Sequence, residues 1–309
     1  MFMKRAVNCG LVKTDNMKQA ILLLSFGTPR QPSDLLPYLT SIRRGKIPTE
    51  RELKVLTARY DAIGQWDNKL LQTMGEEQKK TLTSLLAIDA MYLAYLHMPN
   101  SMEQAIESIA TAGYTSILCI VTSPFYSMVG TGAYERKLHS ILRAYPDISC
   151  EIIKSWWNKP QFFEYWRSQL MAANPLQADT ACIFSAHSVP TSTVGSYEDE
   201  VMSASTQIAK MVGLNHWYQA WQSAAPYGEW LGPTIESVIE QALIDGAKRI
   251  VCIPFGFVSD HVEILYDNDI ICRNIVENAG ATYERLPMPN GNTLFMEAMA
   301  KAIRERINK

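Results

Sequence analysis

The chain has 309 residues, of which 47% are hydrophobic and 19% are charged, and its formal net charge is −2. This composition is typical of a folded globular protein and excludes a disordered or low-complexity chain. The near-neutral charge gives no basic field for nucleic acid, and no apolar run approaches the roughly eighteen residues that a membrane-spanning helix needs.

The chain opens with an extension, residues 1–18, that precedes the first strand-like run. Asn8 and Gly10 interrupt its apolar residues, which excludes the continuous apolar core of a signal peptide. Met17 stands three residues before the run AILLLSF, which begins at Ala20. We therefore interpret residues 1–16 either as a disordered extension or as the product of an upstream start codon chosen in error.

Two stretches of the sequence resemble each other. Residues 103–125 and 236–257 each follow the pattern of a helix, a glycine turn and a strand, and they align at a constant offset of 133. Earlier in each half, LLLSFGTP (22–29) matches CIFSAHSVP (182–190) at an offset of 161. The difference between the offsets indicates an insertion in the first half, which we assign to about 31–80.

A repeated strand–helix–strand unit requires right-handed crossovers and a parallel sheet. We therefore predict an α/β fold of two similar, doubly wound, Rossmann-like lobes, 19–150 and 151–309, which face a central cleft. The last helix is a candidate for packing back on the N-terminal lobe.

Ionisable residues follow two of the strand-like runs, at the end of the sheet where parallel α/β proteins bind ligands. His187 follows ACIFSA, whereas Asp260, Glu263 and Asp267 follow RIVCIPFGF at spacings that place them on one helix face. A histidine beside a row of oxygen ligands suits iron(II) better than calcium. The ordinary alternatives are a strand-end histidine bonded to backbone and acidic residues that favour a helix dipole, although the dipole does not account for Asp267.

The insertion carries a basic cluster of Arg43, Arg44 and Lys46, followed by Arg59 and Tyr60. Such a cluster is either a solvated helix face or a clamp for an anionic ligand, because guanidinium groups bind carboxylates bidentately. The seven tryptophans and fourteen methionines are either ordinary core residues or walls for a flat, apolar ligand.

Six scattered cysteines, with no C-x-x-C pair, indicate a reducing compartment and argue against a disulfide framework or a cysteine metal site. We expect a cytoplasmic protein.

Taken together, seven stretches resemble ferrochelatases, the enzymes that insert iron(II) into a porphyrin, in the right order from residue 19 onward. They are LLLSFGTP (22–29), YLTSIRRGKIP (38–48), LTARYDAIG (56–64), KSWWNKPQFFEYW (154–166), SAHSVP (185–190), WQSAAPYGEWLGP (221–233) and PFGFVSDHVEILYDND (254–269). The SAHSVP turn and the last stretch are highly specific to this family. The IRRG and GTP variants resemble its Gram-positive branch, whose substrate is coproporphyrin III.

The resemblance implies roles for individual residues. It makes His187 and Glu263 the catalytic pair. We expect this imidazole and this acid to converge from separate halves over the centre of the porphyrin ring. The resemblance also makes both residues metal ligands, together with Asp267. Whether His187 takes the pyrrole protons or delivers the iron stays open. His97 matches another histidine of the cleft. The positions that match propionate-binding residues are Thr28, Arg43, Arg59, Tyr60 and Tyr134.

The positions that depart from the family pattern include Phe26, Asp67 and Ile271. Phe26 stands where this branch usually has a tyrosine that can ligate iron, so we predict that product iron receives no ligand from residue 26. Asp67 replaces a serine that contacts a propionate, and two anions there should repel. Ile271 replaces the outermost acid of the row leading inward from the surface.

For cofactors and partners, the resemblance implies coproporphyrin III and Fe2+ as substrates and no prosthetic group. No iron–sulfur cluster is expected, because no cysteine follows Cys272. We expect a monomer that contacts a downstream coproheme decarboxylase transiently and binds no nucleic acid. The alternatives are a chelatase for another divalent metal, against which the single His187 counts, and a non-catalytic or weakly active tetrapyrrole-binding protein.

Overall fold

The computed structural model describes residues 18–66, 70–225 and 227–308. The first half contains β1 (Gln19–Ser25), α1 (Leu35–Ile42), α2 (Glu50–Ala62), α3 (Leu70–Leu86), β2 (Met91–Tyr95), α4 (Ser101–Thr111), β3 (Ser116–Val121), α5 (Thr131–Leu142) and β4 (Ser149–Ile153). The second half contains α6 (Pro160–Ala172), β5 (Thr180–His187), α7 (Tyr197–Val212), β6 (Trp217–Gln222), α8 (Ile235–Ile244), β7 (Arg249–Ile253), a π-helix (Glu263–Cys272), α9 (Arg273–Asn278), β8 (Thr282–Arg285) and α10 (Thr293–Ile307).

The strands form two parallel sheets of the same topology, with orders β2-β1-β3-β4 and β6-β5-β7-β8. Their registers also match: Leu22 lies opposite Cys119 in the first sheet, and Ile183 lies opposite Cys252 in the second. These are the partners that the two sequence offsets align. The predicted pair of similar α/β lobes is therefore confirmed.

The glycine turns of the repeat have the same backbone geometry. Gly113 follows α4 with φ +77°, and Gly246 follows α8 with φ +99°. Glycine adopts this left-handed region without a steric penalty, which ends each helix and returns the chain to the next strand.

The core is continuous between the lobes. One face of β1, with Ile21 and Leu23, belongs to the same apolar cluster as Phe184 of β5. The opposite face of each sheet is covered by its own helices and forms a separate cluster. Strands buried on both faces explain the nearly unbroken apolar runs of the sequence.

The predicted insertion contributes α1, α2 and most of α3. A capping box between Thr49 and Glu52 starts α2. Buried Leu35, Tyr38 and Tyr60 form a small apolar cluster against which Val262 of the second half packs. The insertion is therefore fixed directly beside the start of the π-helix.

The C-terminal helix α10 packs against α3 of the first half. Around this contact Thr81 donates to the carbonyl of Gly291 at 3.2 Å, and Arg304 donates to the carbonyl of Leu85 at 2.7 Å. The first sheet runs through β4 to Ile153, which places its end beyond residue 150. In the ranges given above, no helix combines the length and apolar character needed to cross a bilayer.

Candidate active site

His187 is the last residue of β5, at the carboxyl end of the second sheet. Its Nδ1 lies 2.5 Å from the carbonyl oxygen of Ser188, and because a carbonyl only accepts, Nδ1 carries a proton. The hydroxyl of Tyr197 donates to the His187 carbonyl at 2.9 Å and fixes the strand end. The ring is thereby oriented with Nε2 directed toward Glu263.

Glu263 begins the π-helix that follows β7, and its Oε1 lies 3.4 Å from Nε2 of His187. The side chains are 38% and 30% exposed, so the pair is recessed yet open to solvent. Because β5 and β7 are adjacent strands of one sheet, both groups come from the second lobe. The expectation that they converge from separate halves was wrong, since ligand-binding loops of a parallel sheet meet at neighbouring strand ends.

The two groups stabilise each other's charged forms. Burial disfavours imidazolium, but the charge of Glu263 and hydrogen bonds to Glu263 and Ser188 raise the pKa of His187 to about 9. Burial likewise disfavours the carboxylate, but mainly the charge of His187 and its hydrogen bond lower the pKa of Glu263 to about 2. At neutral pH the two side chains therefore form an imidazolium–carboxylate pair.

A second histidine, His261, lies in the same site. Its Nδ1 accepts the backbone N–H of Glu263 at 3.2 Å, and its ring centroid is 4.9 Å from that of Phe257. Burial lowers the pKa of His261, so the ring is neutral. The expectation that His187 is the single histidine of the site was therefore wrong. The sequence signal for the second histidine was the D-H-x-E pattern at 260–263.

Asp267 lies close to one turn beyond Glu263 on the π-helix, a helix type that often occurs at functional sites. Its Oδ2 accepts from the Ser223 hydroxyl at 2.8 Å, and its Oδ1 lies 3.5 Å from Nη1 of Arg59. Burial raises the pKa of Asp267. Asp260 precedes the helix and pairs with Arg285, so it does not belong to the row of acids that face the site.

The first lobe supplies the opposite wall. Phe26 follows β1 and is 46% exposed. The centroid of its ring lies 4.4 Å from that of the His97 ring. The hydroxyl of Ser41 lies 2.9 Å from Nδ1 of His97, and burial lowers the pKa of this histidine to about 4. Thr28 hydrogen-bonds the buried Tyr60, whose pKa burial raises to about 12. This wall therefore presents neutral groups.

The two predicted propionate-binding arginines already have carboxylate partners. Arg43 pairs with Glu52, whereas Arg59 reaches Asp267 and stacks over Tyr266 with its guanidinium 5.1 Å from the ring centroid. Arg59 thus joins α2 of the first lobe to the π-helix of the second.

The remaining predicted residues are Tyr134 and Asp67. Tyr134 is only 5% exposed and belongs to the outer apolar cluster of the first lobe, near enough to Tyr38 to affect its pKa. Asp67 lies outside the described residues.

A cavity of about 530 Å³ lies beside the first-lobe wall and is lined in part by Tyr38, Tyr95, His97 and Met98. Neither residue of the His187–Glu263 pair lines it. Over the parts of the chain with assigned positions, no three His, Cys, Asp or Glu side chains are gathered into a metal-binding cluster.

Comparison with known proteins identifies relatives over nearly the whole chain. The family model described as ferrochelatase matches residues 18–307. Coproporphyrin III ferrochelatase of Geobacillus kaustophilus is 33% identical over 302 residues, which cover 93% of this chain and 95% of that protein. Coproporphyrin III ferrochelatase of Staphylococcus aureus is 31% identical over 303 residues, which cover 93% and 98%.

Solved structures share the fold at low sequence identity. SirB from Bacillus subtilis with Fe3+ matches with a TM-score of 0.61 and 12% identity, covering 94% of this chain and 95% of that one. CbiX, the terminal enzyme for biosynthesis of siroheme in denitrifying bacteria, matches with a TM-score of 0.54 and 13% identity, covering 93% and 98%. These likenesses describe the architecture alone.

Proposed function

The chain belongs to the ferrochelatase family, and from this premise we propose that it inserts Fe2+ into coproporphyrin III and releases two pyrrole protons. It is a porphyrin metal chelatase, a lyase of haem biosynthesis. The observation that carries the assignment is the His187–Glu263 pair at the carboxyl edge of the second sheet. A flat tetrapyrrole bound at this edge would have its centre beside an acid–base pair.

The charge state of the pair sets the order of the proton steps. Imidazolium cannot accept a proton, so His187 must lose one before it can serve as a base. A dication arriving at Glu263 would remove the attraction that holds this proton and add a repulsion, and both effects lower the pKa of His187. The proton then leaves through the open side of the pair, and the neutral ring takes up one pyrrole proton, passes it to solvent by the same route and then takes up the second.

We assign proton acceptance to His187, with Glu263 assisting, and the approach of iron to the same side. Asp267 is the next oxygen ligand along the π-helix, and it must first release Arg59. The arginine would then be available for a propionate, because the propionate carboxylate can take the place of the Asp267 carboxylate on the guanidinium group. Thr28 and Tyr60 contribute hydroxyl groups at the same edge.

We infer a cytoplasmic enzyme that acts as a monomer without a prosthetic group or iron–sulfur cluster and contacts a coproheme decarboxylase transiently. The five cysteines with assigned positions all carry free thiols, which suits a reducing compartment.

An anaerobic spectrophotometric assay tests the function. Purified protein is mixed with Fe2+ and either coproporphyrin III or protoporphyrin IX, and loss of the free-base spectrum is followed over many turnovers. We expect catalytic conversion of coproporphyrin III and slower conversion of protoporphyrin IX. A stoichiometric spectral shift without turnover would instead identify a tetrapyrrole carrier.

His187→Ala provides the matched variant in that assay. It should abolish metallation while porphyrin still binds, as followed by fluorescence quenching. Retained turnover in this variant would end the assignment of proton acceptance to His187.

A further inference from the structure

Arg285, the last residue of β8, holds two carboxylates of the segment that carries Glu263. Its Nε and Nη2 donate to the two oxygens of Asp269 at 2.7 and 2.8 Å, and Nη2 also lies 3.1 Å from Oδ1 of Asp260. The arginine side chain is only 13% exposed. A bidentate and largely buried guanidinium pair is among the more rigid polar contacts in proteins.

Asn290 also binds Asp260. Its Nδ2 donates to Oδ2 of Asp260 at 2.9 Å, and its Oδ1 accepts the backbone N–H of the same residue at 2.9 Å. The backbone just before the π-helix is therefore fixed from β8 and from the loop that follows it.

Glu263 lies between the two anchored positions. Asp260 stands three residues before it and Asp269 six residues after it, so one guanidinium spans the start of the π-helix. π-helices are rare and usually short, and Val262, the N-cap residue of this one, makes no side-chain hydrogen bond to the first turn. Its position therefore depends on tertiary contacts.

We propose that Arg285 is a positioning residue, which holds the Glu263 carboxylate at working distance from His187 by clamping Asp260 and Asp269. The inference rests on the proposed function, because the working distance is that of the metallation site. A separation of 3.4 Å is sensitive to small shifts, and misplacement by about 1 Å is enough to cost a catalytic group much of its effect.

Loss of the guanidinium would have two effects. Asp260 and Asp269 would lose their shared cation, and the two partly buried carboxylates would repel each other. The segment between them would then relax. Porphyrin binding should change little, since Arg285 bonds to the back of this segment and contacts none of the residues assigned to the porphyrin edge.

The test compares Arg285→Met and Arg285→Lys with the control Arg249→Met. Arg249 lies on β7 and also makes partly buried polar contacts. It pairs with Glu284 and donates to the carbonyls of Ala173 and Asn174. Its side chain is 17% exposed, close to that of Arg285, but it bonds to no residue of 260–269. The control therefore reproduces the stability loss without touching the clamp.

Steady-state metallation of coproporphyrin III by the full chain gives kcat and the porphyrin KM for each variant. For Arg285→Met we expect kcat to fall about tenfold or more, the usual cost of removing an outer partner of a metal-site residue, with KM within about threefold. Arg285→Lys should recover part of kcat, since a point charge can pair with one carboxylate but not span two. Arg249→Met should keep kcat within about twofold.

Hydrogen–deuterium exchange provides a readout independent of turnover. Residues 261–269 should exchange faster in Arg285→Met than in the wild type and in Arg249→Met. If Arg285→Met does not fold, Asp269→Asn removes the bidentate half of the clamp and takes its place. Equal losses of kcat in Arg285→Met and Arg249→Met, or unchanged exchange, would overturn the positioning role. A wild-type protein without turnover would instead overturn the proposed function, while the exchange comparison would still test the clamp.

Discussion

Phe26 occupies in the first lobe the position that His187 occupies in the second. Phe26 directly follows β1, His187 is the last residue of β5, and the two positions differ by the offset of 161 that aligns these strands. Two lobes of one design therefore present different chemistry to the cleft. At this matched position the second lobe carries an ionisable imidazole, and the first carries an apolar ring packed on the neutral His97.

This asymmetry predicts the ligation of product iron. Phenylalanine has no ligand atom, and burial raises the pKa of nearby Tyr60 to about 12, so a phenolate there is unfavourable. We expect the ferric product complex to lack phenolate-to-iron charge transfer in absorption and resonance Raman spectra. Phe26→Tyr should introduce that signature. A phenolate signature in the wild type would contradict the prediction.

Glu263→Gln should lower the pKa of His187. Without the carboxylate, the main attraction for imidazolium is lost and burial favours the neutral ring, so the pKa should fall from about 9 to near or below its ordinary 6.5. NMR titration of protein with labelled histidine rings measures this directly, and loss of the signal in His187→Gln assigns it. Glu240→Gln, on the exposed surface of α8, is the control and should leave the titration unchanged. An unshifted pKa in Glu263→Gln would show that another group supports the charge.

The same pair makes stability depend on pH. Because the folded pKa of His187 is raised from 6.5 to about 9, the folded state holds an extra proton between these values. This contribution is complete below pH 6.5 and is lost as the pH rises through 9. The free energy of unfolding in urea should therefore fall more steeply over this window in the wild type than in His187→Gln. Parallel pH profiles for the two proteins would contradict the raised pKa.

Glu263 contributes with the opposite sign. Its folded pKa is lowered from 4.5 to about 2, so its contribution is complete above pH 4.5 and is lost as the pH falls through 2. In the acid limb, Glu263→Gln should therefore lose less stability than the wild type. Urea unfolding at matched acidic pH measures the difference, and equal losses would contradict it.

The sequence predicts the fold well because its signals are local and repeated. Buried parallel strands give apolar runs, and the glycine turns at Gly113 and Gly246 mark the same crossover twice. The closeness of His187 to the acids also follows, since neighbouring strands of a parallel sheet end at one edge.

The pairing of individual side chains could not be predicted in the same way. Asp260, Glu263 and Asp267 have similar spacing, yet one binds Arg285, one binds His187 and one reaches Arg59. These partners come from β8, β5 and α2, far apart in the chain, so only the three-dimensional packing selects among them. The offset that aligned Phe26 with His187 was visible in the sequence, whereas the neutral state of His97 depends on burial by neighbours that spacing does not reveal.

Arg59→Met should weaken porphyrin binding. Loss of one charge-assisted contact to a propionate should raise the coproporphyrin KM about tenfold, with a smaller effect on kcat. Arg51→Met, an exposed arginine on the same helix α2, is the matched control and should leave KM within about twofold. An unchanged KM in Arg59→Met would remove this residue from the porphyrin site.

Asp267→Asn should have the opposite effect on the porphyrin. Oδ1 of Asp267 lies 3.5 Å from Nη1 of Arg59, so an incoming propionate must displace this carboxylate from the arginine. Removing that charge frees the arginine, and porphyrin affinity should rise in fluorescence titrations. The same change removes an oxygen charge next to Glu263 and should slow metal insertion. Tighter porphyrin binding with slower turnover would show that Asp267 competes for Arg59. A general loss of structure would instead weaken porphyrin binding and slow turnover together.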